Sequence, residues 1–336
     1  MTRAASREDT ILVFDAGTQS IRAALIDLQG HIHRMVKTPI RPYFSSQPGW
    51  AEQTPDYFWE QLCATSRKLL TADGVALEGI AGVTLTSQRN TLINLDQDGR
   101  PLRPAIIWLD QRKAEPTGNL SPLFRGVLRA INKHTLLEQA ERECKSNWIR
   151  QHQPEIWDKT AKLLLLSGFL TFKLTGAYRD SAGNMVGYLP FDYKRQQWAR
   201  PGDFKWKIFP MDPGVLPTLV NPAAHLGRIT RRAAEQTGIP AGLPLVAAAT
   251  DKACEVLGAG CLSPEIACLS YGTTATVNTA NSRYVEVQAF MPPYPSARPG
   301  FYNTELMVYR GFWMVSWFKK EFGLREEQIA RERGIA

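Results

Sequence analysis

Three short stretches of this sequence combine carboxylates, hydroxyls and glycine in patterns suited to phosphate. The first is Asp15-Ala16-Gly17-Thr18-Gln19-Ser20, directly after the apolar run at residues 11–14. Its glycine lets backbone approach a phosphate closely, Thr18 and Ser20 add hydroxyl donors, and Asp15 could hold a hydrated divalent cation nearby. Read alone, the same residues also describe an ordinary hairpin turn in which Asp15 and Thr18 bond their own backbone. The second stretch, Tyr271-Gly272-Thr273-Thr274, repeats the first far downstream. The third is Asp251, which ends an apolar run at residues 243–249 and precedes a segment rich in small residues. In α/β layers the carboxyl ends of strands expose functional side chains, so Asp251 could act as a general base. It could also cap the helix that follows, since an aspartate accepts from free amides at a helix start.

These groups need elements to hold them. Residues 11–14 are a continuous run of β-formers, 21–27 resume a strand pattern, and Gln29-Gly30 turns the chain into a third strand over 31–40. An antiparallel three-strand meander is expected. Thr54-Pro55 marks a helix start, and Phe58, Leu62 and Leu69 recur on one face of residues 56–70. Strands follow at 79–85 and 92–95, Asp96-Gln97-Asp98-Gly99 forms a turn, and 105–109 is a further apolar run. The spacing predicts mostly helix from 115 to 180, including one helix over 161–174 that contains four consecutive leucines and stops at Gly176. A small-residue helix is expected over 253–260, a strand over 266–270, and a charged amphipathic helix over 317–336. Strands followed by helices and then strands imply layered α/β architecture. The two Gly-Thr turns, each between strands, suggest internal duplication: one lobe over residues 1–260 and the beginning of a similar lobe over 261–336, with a phosphate between them.

Composition narrows the field of partners. The 336 residues carry a formal charge of +8, but the basic residues are scattered and not interleaved with aromatics in a stripe, which argues against nucleic acid. The five cysteines form no CxxC pair and no zinc spacing, so they read as thiols in a reducing compartment. The first apolar run is only four residues, too short for a secretory core, and no run approaches a membrane span. A cytoplasmic protein without a membrane partner is expected, and self-association into a homo-oligomer is compatible with the sequence.

The sequence resembles the FGGY carbohydrate kinases. The resemblance rests on Asp15 to Ser20, Gly49-Trp50-Ala51-Glu52-Gln53, Thr86-Ser87-Gln88-Arg89, the run 104–110 with Arg112, Leu174-Thr175-Gly176, Thr250-Asp251 and Gly258-Ala259-Gly260, in that order along nearly the whole chain. It implies the ribonuclease-H-like fold of the actin, heat-shock ATPase and hexokinase superfamily, with a complete N-terminal lobe and the start of a second. It also implies transfer of a phosphoryl group from ATP, with Mg²⁺, to a hydroxyl of a sugar or polyol. By this resemblance Asp251 is the catalytic base and, with Asp15, a metal ligand. Asp15, Gly17, Thr18, Gln19 and Ser20 face the nucleotide phosphates from the first lobe, and Gly272, Thr273 and Thr274 face them from the second. Gln88, Arg89, Asn90, Trp108, Asp251 and Lys252 surround the substrate. Arg89 offers forked donors to hydroxyls and Trp108 an apolar face. The plainer readings are a surface ion pair for Arg89 and core packing for Trp108.

Three residues depart from the glycerol-kinase subgroup that Gln88-Arg89-Asn90 most resembles. Asn90 stands where that subgroup has glutamate, Lys252 where it has glutamine, and Thr276 where it has an aromatic. A longer polyol or a ketose is therefore expected ahead of glycerol. A glycine-rich adenosine-binding segment like the family's is not recognised, and the chain is expected to stop short of a complete second lobe. The competing readings are a kinase relic that binds carbohydrate without turnover, and an actin-like ATPase, which leaves Arg89 and Trp108 unexplained.

Overall fold

The computed structural model describes residues 9–271, 275–308 and 311–335. The chain opens with β1 (Thr10–Ala16), β2 (Ser20–Asp27), β3 (Ile32–Pro39), the short β4 (Glu52–Gln53), α1 (Pro55–Leu70) and β5 (Ile80–Ser87). Next come β6 (Leu92–Leu95), β7 (Ala105–Ile106), α2 (Pro122–Ala130), α3 (His134–Glu143), α4 (Lys145–His152), α5 (Pro154–Asp158), β8 (Lys162–Leu165) and α6 (Leu166–Thr175). Short strands β9 (Arg179–Ser181), β10 (Phe191–Asp192), β11 (Gln197–Trp198) and β12 (Thr218–Val220), with α7 (Lys205–Ile208), lead to β13 (His225–Arg228), α8 (Arg231–Thr237), β14 (Pro244–Ala247) and α9 (Asp251–Gly258). The described chain ends with β15 (Ala267–Tyr271), β16 (Ala275–Asn281), β17 (Tyr294–Pro295), β18 (Tyr302–Val308), α10 (Phe312–Phe322) and α11 (Leu324–Glu332).

A six-stranded sheet in the order β13-β14-β5-β1-β2-β3 forms the centre. The meander β1-β2-β3 is antiparallel, whereas β1, β5 and β14 run parallel, so their carboxyl ends lie side by side. Leu12 and Phe14 of β1, Ile21 and Ala23 of β2, and Val83 and Leu85 of β5 are buried in one core with Leu245 of β14. Helix α1 packs on β2 and β3 through Phe58, Leu62 and Leu69, the face its spacing predicts. Pro55 occupies its first turn, where the missing N–H costs nothing and the fixed φ suits the helix.

A four-stranded sheet in the order β15-β16-β18-β17 is separate from the central one. Its β15-β16-β18 portion is again an antiparallel meander. It sits against the earlier chain: Gln196 Nε2 donates to the Phe301 carbonyl at 2.9 Å, and Tyr302 Oη donates to the Lys194 carbonyl at 2.7 Å.

Two expectations change. The four leucines do not open one helix: residues 162–165 form β8, paired antiparallel with β6 from Leu95↔Lys162 to Leu92↔Leu165, and α6 begins at Leu166. A short, wholly apolar run has no period that separates strand from helix, and here pairing with β6 decides it. Of the apolar run 105–109 only residues 105–106 are strand, because Asp110 N–H closes a turn onto the Ile107 carbonyl. The last segment is two helices with Gly323 at the junction. Gly176 does end α6, in the left-handed conformation at φ 72°. Among the described residues no helix is long and apolar enough to cross a membrane.

Candidate active site

The parallel core brings the predicted chemistry together. Asp15, near the end of β1, lies opposite Thr86 on β5, and the Gln88 N–H continues the pairing to the Ala16 carbonyl at 3.0 Å. Thr86 Oγ1 donates to the Ala249 carbonyl at 2.7 Å, which ties the end of β14 to β5 just before the chain enters α9. Thr250 caps that helix by accepting from the Ala253 N–H at 3.3 Å. The cap role considered for Asp251 is therefore filled by its neighbour. Asp251 is the first helical residue, and its Oδ1 accepts from the Lys252 N–H at 2.7 Å.

Burial pushes the Asp251 carboxyl above the usual carboxylate range, and the negative charge of Asp15 adds to the rise. Arg89 and the Lys252 amide oppose it without cancelling it. Asp15 itself forms a partly exposed ion pair with Arg22 at 2.5 Å.

Arg89 follows β5 and forms a forked pair with Glu305 of β18, Nη1 to Oε2 at 3.3 Å and Nη2 to Oε1 at 3.2 Å. Its guanidinium also lies 5.7 Å from the centre of the Tyr294 ring. Burial alone would weaken its charge, but Glu305 and then Asp251 hold it protonated. The pair is not the surface ion pair considered for Arg89, since the Glu305 side chain is 5% exposed. Neither Glu305 nor Tyr294 stands out in the primary structure as a site residue. The signal available for Glu305 was the alternation of β18, which puts Asn303, Glu305 and Met307 on one face.

Trp108 is 44% exposed, so it is not core. Its Nε1 donates to Thr18 Oγ1 at 2.9 Å, and that hydroxyl donates to Gln88 Oε1 at 3.0 Å. Trp108, the Thr18 turn and Gln88 at the end of β5 thus share one hydrogen-bond chain. Gln88 is buried, and its Nε2 has no hydrogen-bond partner among the described residues. Asn90 adopts the left-handed conformation at φ 51° and abuts Gly187, where an added Cβ would come within 3.0 Å of Asn90 Oδ1.

The other predicted residues divide. The Gly17 N–H donates to the Ser20 carbonyl at 3.1 Å, Gln19 is exposed and its carbonyl accepts from Ile40, and Ser20 is buried at the start of β2. Lys252 reaches away, donating to Ser270 Oγ at 2.6 Å and Glu255 Oε2 at 2.8 Å. It links α9 to β15. Gly272, Thr273 and Thr274 lie outside the described residues. A surface depression of about 360 Å³ beside Lys113, Thr135, Glu138 and Arg142 shares no residue with this cluster.

Behind Trp108, the loop is held by a buried ionic cluster. Arg112 forks onto Asp110 at 2.7 Å through both Nε and Nη2, and reaches Glu52 at 3.0 Å. Its guanidinium lies between Trp50 at 3.8 Å and Trp148 at 4.6 Å. Asp110 Oδ2 also accepts from the Ala51 N–H at 2.7 Å. The Gly49-to-Gln53 and 104–112 motifs therefore lock to one another.

Comparison with known proteins agrees with this geometry. Residues 10–258 match the model of the FGGY family of carbohydrate kinases, N-terminal domain. An uncharacterised sugar kinase of Escherichia coli is 28% identical over 97% of this chain and 59% of its own length. A xylulose kinase of Staphylococcus epidermidis is 24% identical over 94% of this chain and 62% of its own. The chain thus spans about 60% of the length of these relatives. The crystal structure of xylulose kinase from Rhodospirillum rubrum superposes with a TM-score of 0.80 at 22% identity, covering 96% of this chain and 65% of that one. The shared architecture is the ribonuclease-H-like fold of actin and hexokinase, and the family match covers both the strand ends and the loop motifs around them. The chain belongs to the FGGY family of carbohydrate kinases.

Proposed function

We propose that this chain supplies the substrate-binding and catalytic part of an ATP-dependent kinase that phosphorylates a hydroxyl of a sugar or polyol, a ketose or longer polyol ahead of glycerol. The observation that carries this reading is the convergence of Asp251, Asp15 and Arg89 at the carboxyl ends of three parallel strands, with Asp251 buried and its carboxyl raised. A base with a raised pKa accepts a proton more readily from the attacking hydroxyl, although positioning and charge neutralisation dominate phosphoryl transfer. Arg89 and Trp108 orient the carbohydrate in this reading, and the resemblance to a xylulose kinase supports a ketose. Asn90, Lys252 and Thr276 leave the site without the glycerol-kinase set.

Two carboxylates close enough for the charge of one to raise the pKa of the other form a donor set that suits Mg²⁺, which takes one or two carboxylates and leaves its other positions to phosphates and water. Asp15 and Asp251 would hold it, and it would neutralise charge on the transferred phosphate. We place the boundary between the lobes near residue 260, where the chain leaves the central sheet for the second one. The five described cysteines are unpaired, which fits a cytoplasmic setting.

The test is ADP formation from ATP and Mg²⁺ against a panel of ketoses and polyols, with Asp251→Asn alongside. Loss of turnover by about 10²- to 10⁴-fold with carbohydrate affinity retained is expected. Near-normal turnover in the variant would remove Asp251 from the mechanism. Carbohydrate binding without any ADP formation by the unaltered chain would favour the non-catalytic reading.

A further inference from the structure

The charges around Asp251 are already matched in an unusual way. Arg89 is forked onto Glu305. Lys252, the other cation beside Asp251, is committed to Glu255 and Ser270. Arg22 is committed to Asp15. Position 90 carries an uncharged amide. The carboxylates of Asp251, Asp15 and Glu305 therefore face the site with each nearby cation paired to a carboxylate of the protein itself.

This pattern matters because guanidinium is the side chain best shaped to clamp a carboxylate, by two parallel N–H donors. In Arg89 that edge is occupied by Glu305, which sits on a strand from a different part of the chain and is itself almost completely buried. A sugar acid entering here would meet no uncommitted cation among these residues and would sit beside two or three carboxylates. A neutral polyol would meet a favourable surface: the remaining N–H groups of Arg89 donate, the second lone pairs of Glu305 accept, and the two lie side by side as vicinal hydroxyls require. Like-charge juxtaposition is an effective means of rejecting a wrong ligand.

We propose that Glu305 is a specificity-determining residue which, by occupying the fork of Arg89, restricts this site to neutral polyhydroxylated substrates and rejects aldonic acids. The inference rests on the reading of this cluster as a carbohydrate site and adds the charge class of its ligand. It also explains how the site manages without a carboxylate at position 90: the acceptor comes from β18 instead.

Calorimetry on the full 336-residue chain with xylitol, D-xylulose and D-xylonate at pH 7.5 tests this, for the unaltered protein and for Glu305→Gln. The unaltered protein should bind a neutral ligand at least about tenfold more tightly than xylonate. Glu305→Gln should narrow or reverse that ratio by about tenfold, because the fork of Arg89 becomes available to the carboxylate. A second measurement does not depend on the variant folding. Raising salt from low to high ionic strength should improve xylonate binding relative to xylitol, since screening weakens repulsion. Equal affinity for xylonate and xylitol, a ratio unchanged in a folded Glu305→Gln, or xylonate binding that weakens with salt would each overturn the inference and leave the carbohydrate reading intact. If no polyol, ketose or aldonate binds the unaltered chain, the carbohydrate reading itself fails and the inference falls with it.

Discussion

The two sheets of this molecule sort their side chains by opposite rules. In the central sheet one face of β1 is apolar and completely buried at Leu12, Phe14 and Ala16, while Ile11, Val13 and Asp15 on the other face are half-buried. In the second sheet the inward face is polar. Thr276, Asn278 and Asn303 are buried there with Glu305, while Leu269, Val277 and Leu306 line up across three strands on the exposed face. Leu306 is 68% exposed. Much of this polarity is matched by partners, since Asn278 Nδ2 donates to Thr276 Oγ1 at 3.2 Å, Ser270 accepts from Lys252 and Glu305 meets Arg89, whereas Asn303 Oδ1 has no partner among the described residues. The lesson is that polar burial in the second sheet follows the charged groups at the strand ends of the first, Arg89 and Lys252.

The largest expected effect breaks the rule of the first sheet. Phe14→Ala should lower stability by about 3–5 kcal/mol, because the ring is fully enclosed and its neighbours cannot collapse into the space. Urea denaturation followed by circular dichroism reads this directly, and a loss below about 1 kcal/mol would show that the core is looser than its packing implies.

A smaller effect sharpens the point that inward charge needs partners. Lys145 is buried, and burial lowers its pKa from 10.5 to about 8, with the charge of Asp110 opposing that fall without cancelling it. The charged form is thus disfavoured in the folded state. The penalty is present in full below pH 8 and disappears as pH rises from 8 towards 10.5. Lys145→Met should therefore stabilise the protein at pH 7 by roughly 1–3 kcal/mol, with the advantage over the unaltered chain shrinking above pH 8. A destabilised variant at pH 7 would mean that its attraction to Asp110 outweighs desolvation.

The smallest effect belongs to the exposed face of the second sheet. Leu306→Thr and Val277→Thr should leave the urea midpoint almost unmoved, within about 0.5 kcal/mol, while lowering fluorescence of an apolar dye. A large loss of stability would show that this face is covered in solution.

The strand ends were legible in the primary structure because their signals are local. A β-rich run closed by Asp15 and Gly17 marks the first hairpin, and an apolar run closed by Thr250 and Asp251 marks another strand end. The helix face of α1 was equally plain, since Phe58, Leu62 and Leu69 follow its period. Residues 162–165 were not, because strand or helix there depends on β6, some seventy residues earlier in the chain. The same non-locality hid Glu305. Nothing near it in sequence distinguishes it from a surface glutamate on an alternating strand, and its role emerges only when β18 is laid beside the end of β5. Lys252, assigned to the substrate pocket by resemblance, donates to Ser270 of β15, a long-range partner that its own neighbourhood in sequence does not announce.

The hydrogen-bond chain through Thr18 has a further consequence, which concerns a single proton. A threonine hydroxyl has one hydrogen to give, and here it goes to Gln88 while Trp108 donates to the oxygen. A phosphate oxygen arriving at this turn can recruit that hydrogen only if Gln88 releases it. If phosphate binds here as proposed, the turn would report its occupancy by exchanging partners. Under the proposed function an anion at Thr18 would free the amide oxygen of Gln88, and a carbohydrate engaging Gln88 would return the proton to the phosphate side. The two halves of the reaction would in this way be linked by one rotation of one hydroxyl, with no movement of backbone required.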